Sequence, residues 1–154
     1  MIKLVVSDVD GTLTDGRFTI DSSGNETKTF NVKDGMGSIL LRKNGIKVAF
    51  FSGRDSEIVK NRALQLKVDY YVPNCNNKAK EVISLSKKEN INLKEIAFIG
   101  DDVNDLEIIS LVGFSGCPRD AVSEVKNKCD FISKKNGGHG AFREFADFIL
   151  KNNG

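Results

Sequence analysis

Six short apolar runs, separated by stretches with helical spacing, constrain this chain more than any other feature in it. They are Ile2 to Val6, Ile46 to Phe51, Val68 to Val72, Ile96 to Ile99 and, more weakly marked, Val112 to Ser115 and Asp130 to Ile132. Runs this short have the length of buried strands. Between them, Ile39, Leu40 and Arg42 precede an Asn44-Gly45 stop, and Ile58, Ala63 and Leu66 follow Ser56. Val82, Ile83 and Leu85 follow Asn77, and Leu106, Ile109 and Leu111 follow Asp105. The alternation predicts an α/β fold: a Rossmann-like parallel sheet with helices on both faces. At 154 residues, a single domain spanning 1–154 is expected, large enough to bury its core without disulfide or metal staples.

One segment breaks the alternation. Between Arg17 and Val32, Phe18 and Ile20 alternate with polar residues, Ser23-Gly24-Asn25 supplies a turn, and Phe30 and Val32 resume the alternation. This predicts a protruding β-hairpin over about 17–32. A lone two-stranded ribbon is marginal in water, so its apolar face needs a partner, either its own domain or another subunit. The tail after Lys134 is Gly-rich and then helical, with Phe142, Phe145, Phe148 and Ile149 on one expected face.

The charge balance excludes several classes of function. Lys and Arg number 23 against 21 acids, and the lysines are scattered, so no basic block calls for nucleic acid. Cys75, Cys117 and Cys129 are odd in number, lack CxxC spacing and have only His139 as an imidazole partner, which argues against zinc and a disulfide framework. The opening MIKLVVSD has neither the length of a membrane span nor the form of a secretory signal. A cytoplasmic protein with no membrane partner is expected.

Three of the runs end in polar residues. The first gives Ser7-Asp8-Val9-Asp10, the second Ser52-Gly53-Arg54 and the fourth Gly100-Asp101-Asp102. In parallel strands these ends share one edge, where open α/β sheets hold their ligands. Asp8, Asp10, Asp101 and Asp102 should therefore converge, and carboxylates gathered out of water need a cation. Oxygen ligands suit Mg²⁺. With the Ser52 hydroxyl, the Gly53 amide and the Lys78 ammonium on the same edge, the site is equipped for a phosphate group. In an extended segment Asp8 and Asp10 point the same way, so one can attack phosphorus while the other exchanges protons with the leaving group and with water.

These residues resemble the motifs of the haloacid dehalogenase superfamily of Mg²⁺-dependent phosphotransferases. The resemblance rests on DVDGT at 8–12, FFSGR at 50–54, Lys78 and GDDVND at 100–105, in the family's order. It implies an aspartyl-phosphate mechanism. Asp8 is then nucleophile and metal ligand, Asp10 the acid/base with its carbonyl on the metal, and Ser52 and Lys78 the groups that bind the phosphoryl. Asp101 completes the metal ligands, and Asp102 supports them. Neither gap between motifs is long enough for a cap domain. The capless layout, with SGRDS and GGHGAFRE, is similar to phosphatases of eight- and nine-carbon keto sugar acids. That group implies a homotetramer assembled through hairpin and tail. The expected substrate is 3-deoxy-D-manno-octulosonate 8-phosphate, with a sialic-acid-type nononate 9-phosphate as the alternative.

Arg54, beside Gly53, suits a sugar-acid carboxylate, although it can equally pair with Asp55 or Glu57. Arg143 could reach substrate or pair with Glu144 or Asp147, His139 reads as a solvated side chain, and Asp105 as a helix cap. A phospho-accepting receiver module is the alternative from another class. Its acids precede its hydroxyl and lysine, whereas here Ser52 and Lys78 precede Asp101-Asp102.

Overall fold

The computed structural model describes residues 1–154. In chain order its elements are β1 (Leu4–Asp8), β2 (Thr19–Ile20), β3 (Glu26–Thr27), α1 (Val32–Lys43), β4 (Lys47–Phe51), α2 (Glu57–Leu66) and β5 (Tyr70–Val72). There follow α3 (Lys78–Glu89), β6 (Ile96–Ile99), α4 (Leu106–Leu111), β7 (Phe114–Cys117), α5 (Ser123–Lys126), β8 (Phe131–Ile132) and α6 (Ala141–Asn152). Short 3₁₀ turns precede β6 and α4.

All six apolar runs enter one sheet, ordered β5-β4-β1-β6-β7-β8, with every pairing parallel. Several boundaries shift from the sequence reading by one or two residues, two of them for a visible reason. β1 runs on to Asp8 because it is central: Ser7 pairs with Phe50 on one side and Ile99 on the other, so the polar residues gain ladder bonds. β7 starts at Phe114 because the Gly113 amide is already bonded to the Leu93 and Ile96 carbonyls.

The strands are apolar on both faces because crossover helices cover both. Leu4 and Val6 pack with Val82, Leu85 and Ile108, whereas the intervening Val5 packs with Leu41, Val59 and Phe142. Asparagine side chains start two of the helices: Asn31 accepts the Lys33 N–H at α1, and Asn77 accepts the Lys80 N–H at α3. No helix is long and apolar enough to cross a membrane.

The hairpin is shorter than expected. Only β2 and β3 pair, and Val32 is the exposed first residue of α1 rather than the end of a strand. Its apolar residues divide between two fates. Phe30 packs on the core beneath Arg62, while Phe18 and Ile20 stay exposed. In α6, Phe142, Phe145 and Ile149 are buried as expected, but Phe148 is 40 % exposed and stacks on Phe114 at 5.4 Å. It lies at the edge of the buried stripe, over the margin of the sheet.

From β1 the chain moves outward through β4 and β5, then returns to β6 on the opposite side of β1. The order of strands reverses there, and their carboxyl ends open a crevice.

Candidate active site

Asp8 ends β1 and is buried. The chain turns sharply after it: the amides of Leu13 and Thr14 both reach the Val9 carbonyl, and Thr14 Oγ1 accepts the Gly11 and Gly16 N–H groups. Gly11 has φ +88°, and a Cβ there would sit 1.9 Å from Asp101 Oδ2. Only glycine both adopts that conformation and lets the backbone lie against the acid. The Gly-rich tail braces the loop from the other side. The Gly138 amide donates to the Thr12 carbonyl at 3.0 Å, and a Cβ on Gly137 would meet the Gly11 carbonyl oxygen.

Carboxylate oxygens of Asp8, Asp101 and Asp105 lie within 4.8 Å of one another. Lys78, the first residue of α3, places Nζ 2.7 Å from Asp8 Oδ1 and 2.5 Å from Asp105 Oδ1. Burial alone would depress its pKa, but the charges of Asp8 and Asp105 outweigh burial and raise it. The ammonium is fixed in its charged form.

Asp101 goes the other way. Burial, then a hydrogen bond with Asp8 and the charges of Asp8, Asp105 and Asp102, hold its carboxyl far above the usual carboxylate range. Burial and the charge of Asp8 also raise Asp105, against the pull of Lys78. Three carboxyl groups facing one ammonium are short of positive charge, and their oxygens suit a hard divalent cation. The donor set fits Mg²⁺.

Asp105 corrects the sequence reading, which made it a helix cap. It does reach back to the Asp101 amide, at 3.0 Å through Oδ2, but its other oxygen is the buried partner of Lys78. Asp102 stands at the rim, where its side chain accepts the Val103 N–H.

Asp10 departs from the expected shared direction with Asp8: the chain leaves the extended form after β1 and turns, so Asp8 is buried among the acids while the Asp10 side chain is 39 % exposed. Its Oδ1 is 2.7 Å from Nζ of Lys28, a hairpin residue that the sequence reading did not single out. Lys28 does carry a signal. Glu26, Lys28 and Phe30 are half-buried while Thr27 and Thr29 are exposed, so the two-residue period marked its inward direction.

Ser52 is buried just past β4, its Oγ accepting the Arg54 N–H at 3.3 Å. Gly53 is exposed, and a Cβ there would meet nothing. Arg54 pairs with neither Asp55 nor Glu57. Its Nη2 lies 2.7 Å from Glu26 Oε1, and its guanidinium sits 5.2 Å from the centre of the Phe18 ring. Arg143 pairs with Asp147 one turn on, and His139 is exposed.

A family model described as haloacid dehalogenase-like hydrolase matches residues 73–145. The chain is 39 % identical over 153 residues to 3-deoxy-D-manno-octulosonate 8-phosphate phosphatase KdsC of Haemophilus influenzae, covering 99 % of this chain and 85 % of that protein. It is 34 % identical to N-acylneuraminate cytidylyltransferase A of Danio rerio, covering 97 % of this chain but 35 % of that protein. Among solved structures, 3-deoxy-D-manno-octulosonate 8-phosphate phosphatase from Moraxella catarrhalis, in complex with magnesium ion, phosphate ion and a KDO molecule, superposes with a TM-score of 0.95. That pair is 39 % identical and covers 97 % of this chain and 86 % of the other.

Proposed function

Since the chain belongs to the haloacid dehalogenase superfamily and, within it, to the 3-deoxy-D-manno-octulosonate 8-phosphate phosphatases, we propose that it removes phosphate from that eight-carbon sugar acid with Mg²⁺ as cofactor. The observation that carries the reading is the Asp8–Lys78–Asp101–Asp105 cluster at the switch point, with Asp10 two residues beyond the nucleophile.

Asp8 attacks phosphorus through its carboxylate, and the bond from phosphorus to the sugar oxygen breaks as the aspartyl phosphate forms. Asp10 gives a proton to the departing alkoxide, then takes one from the water that hydrolyses the acyl phosphate. Lys78 and Ser52 hold the transferring phosphoryl oxygens, with the Gly53 amide beside them. The Asp8 and Asp101 carboxylates and the Asp10 backbone carbonyl would hold Mg²⁺, Asp105 keeps Lys78 and the Asp101 amide in place, and Asp102 supports the rim. When bound, Mg²⁺ supplies positive charge that offsets the carboxylates and the phosphoryl oxygens.

Arg54 is the candidate for the sugar carboxylate, since its guanidinium suits bidentate pairing. Residues 1–154 act as one catalytic unit. The exposed Phe18 and Ile20 of the hairpin support assembly into a homotetramer, and the three free cysteines fit a reducing cytoplasm.

The test is phosphate release from 3-deoxy-D-manno-octulosonate 8-phosphate and from a nononate 9-phosphate, with and without Mg²⁺, using Asp8→Asn as control. A higher kcat/KM on the eight-carbon substrate is expected. Preference for the nine-carbon substrate would reassign the sugar, and release no faster than Asp8→Asn would sink the phosphatase reading. An Asp10→Asn variant should turn over about a hundredfold or more slowly while still binding Mg²⁺.

A further inference from the structure

The hairpin is fastened to the site by two ion pairs. Glu26 Oε1 meets Arg54 Nη2, and Lys28 Nζ meets Asp10 Oδ1, each at 2.7 Å. The first is a partly exposed contact at the rim; the second is of another kind. The Lys28 side chain is only 1 % exposed although it comes from a projecting ribbon, and it ends on Asp10 rather than on a structural acid. Arg54 over the Phe18 ring and Phe30 on the core hold the ribbon down on either side of it. No other side chain or amide of the protein donates to Asp10.

This geometry bears on how Asp10 can act. The terminal torsion of an aspartate is broad, and a half-exposed carboxylate would otherwise turn freely among waters. With Oδ1 held by the lysine, the carboxyl plane is fixed and Oδ2 is left for the reacting oxygen. We propose that Lys28 is a positioning residue: the hairpin delivers its ammonium to Asp10 Oδ1 so that Oδ2, carrying a proton, faces the leaving-group oxygen and gives that proton up, and then, ionised, faces the attacking water and takes one from it. The hairpin is thereby part of the subunit's own reaction geometry. The inference rests on Asp10 being the proton-exchanging group in the proposed function, but not on which sugar is the substrate.

The experiment compares wild type, Lys28→Met and Lys28→Arg on two phosphate esters. Methionine keeps the length and buries as readily, whereas arginine restores a charged donor. The readout is kcat/KM, which reports the steps through departure of the leaving group. A sugar acid phosphate leaves as a poor alkoxide that needs a well-aimed proton. p-Nitrophenolate leaves without one.

For Lys28→Met the expected loss is about a hundredfold on the sugar acid phosphate and far smaller on p-nitrophenyl phosphate, with Lys28→Arg recovering most of it. The loss should fall on kcat rather than KM. Equal losses on both esters, or no loss, would overturn the proposal and leave Lys28 as an anchor for the hairpin only. A change in KM alone would also overturn it, because positioning acts on turnover. Thermal denaturation of both variants separates misfolding from the effect. If the wild type instead prefers the nononate, the same ratio is read on that ester, so the substrate assignment can fail while the Lys28 comparison stands.

Discussion

Asp105 and Lys78 form the most deeply buried ion pair in the molecule, Oδ1 to Nζ at 2.5 Å, with side-chain exposures of 0 % and 3 %. Neither charge has water to fall back on. Removing one partner of such a pair leaves the other stranded, at a typical cost of about 3–5 kcal/mol.

Asp105→Asn is therefore expected to lose about 3 kcal/mol of stability, at the low end because Asp8 still pairs with Lys78. The same variant should bind Mg²⁺ about 10- to 100-fold more weakly, as outer supports of metal ligands do. Urea denaturation and a Mg²⁺ titration measure the two effects. A helix cap alone would change the first by about 1 kcal/mol and the second not at all.

Mg²⁺ affinity should rise with pH across the neutral range. Burial and the neighbouring Asp8 raise the pKa of Asp101 in the metal-free protein. A raised carboxyl favours the fold below its unfolded pKa, and that contribution is lost as pH climbs through the folded value. A cation needs the ionised form, so binding must displace a proton. Calorimetry in buffers of different ionisation enthalpy should count about one proton released per ion; no release would mean that the carboxyl is already ionised.

Thr12 is fully buried and its hydroxyl has no hydrogen-bond partner. Valine has the same shape without the stranded group. Thr12→Val should stabilise the protein by about 1 kcal/mol, raising Tm by about 2–4 °C for a chain of this size. Scanning calorimetry decides it, and a lower Tm would show that the hydroxyl is satisfied.

If the exposed Phe18 and Ile20 are covered by other copies of the chain, light scattering should give a mass near about four chains. Ile20→Asp should then reduce it. A monomer at micromolar concentration would remove the assembly argument.

The parallel sheet was legible because six apolar runs of strand length alternate with four stretches of helical spacing. Of the acids at strand ends, Asp8 and Asp101 were legible for the same reason, since a parallel sheet carries its carboxyl ends to one edge, whereas Asp10 turns outward and Asp102 stays at the rim. What escaped was tertiary. Asp105 sits where a capping residue belongs, and nothing in its local pattern says that Lys78, from a distant helix, will reach it. Lys28 was hidden because the hairpin was read for its apolar residues, whereas the same alternation carries Glu26 and Lys28 inward with Phe30. Arg54 was matched with acids nearby in sequence, but its partner Glu26 lies on the hairpin, in β3.

The place of β1 between β4 and β6 has a kinetic corollary. Asp8 ends β1 and Asp101 follows β6, two adjacent strands separated along the chain by three crossover helices, α1, α2 and α3, and contacts so far apart along the chain tend to close late because loop entropy must be overcome first. A cation that needs both acids has nothing to grip until β6 has docked. Mg²⁺ should thus lengthen the lifetime of the native state by slowing its opening, while leaving the rate of its formation nearly unchanged.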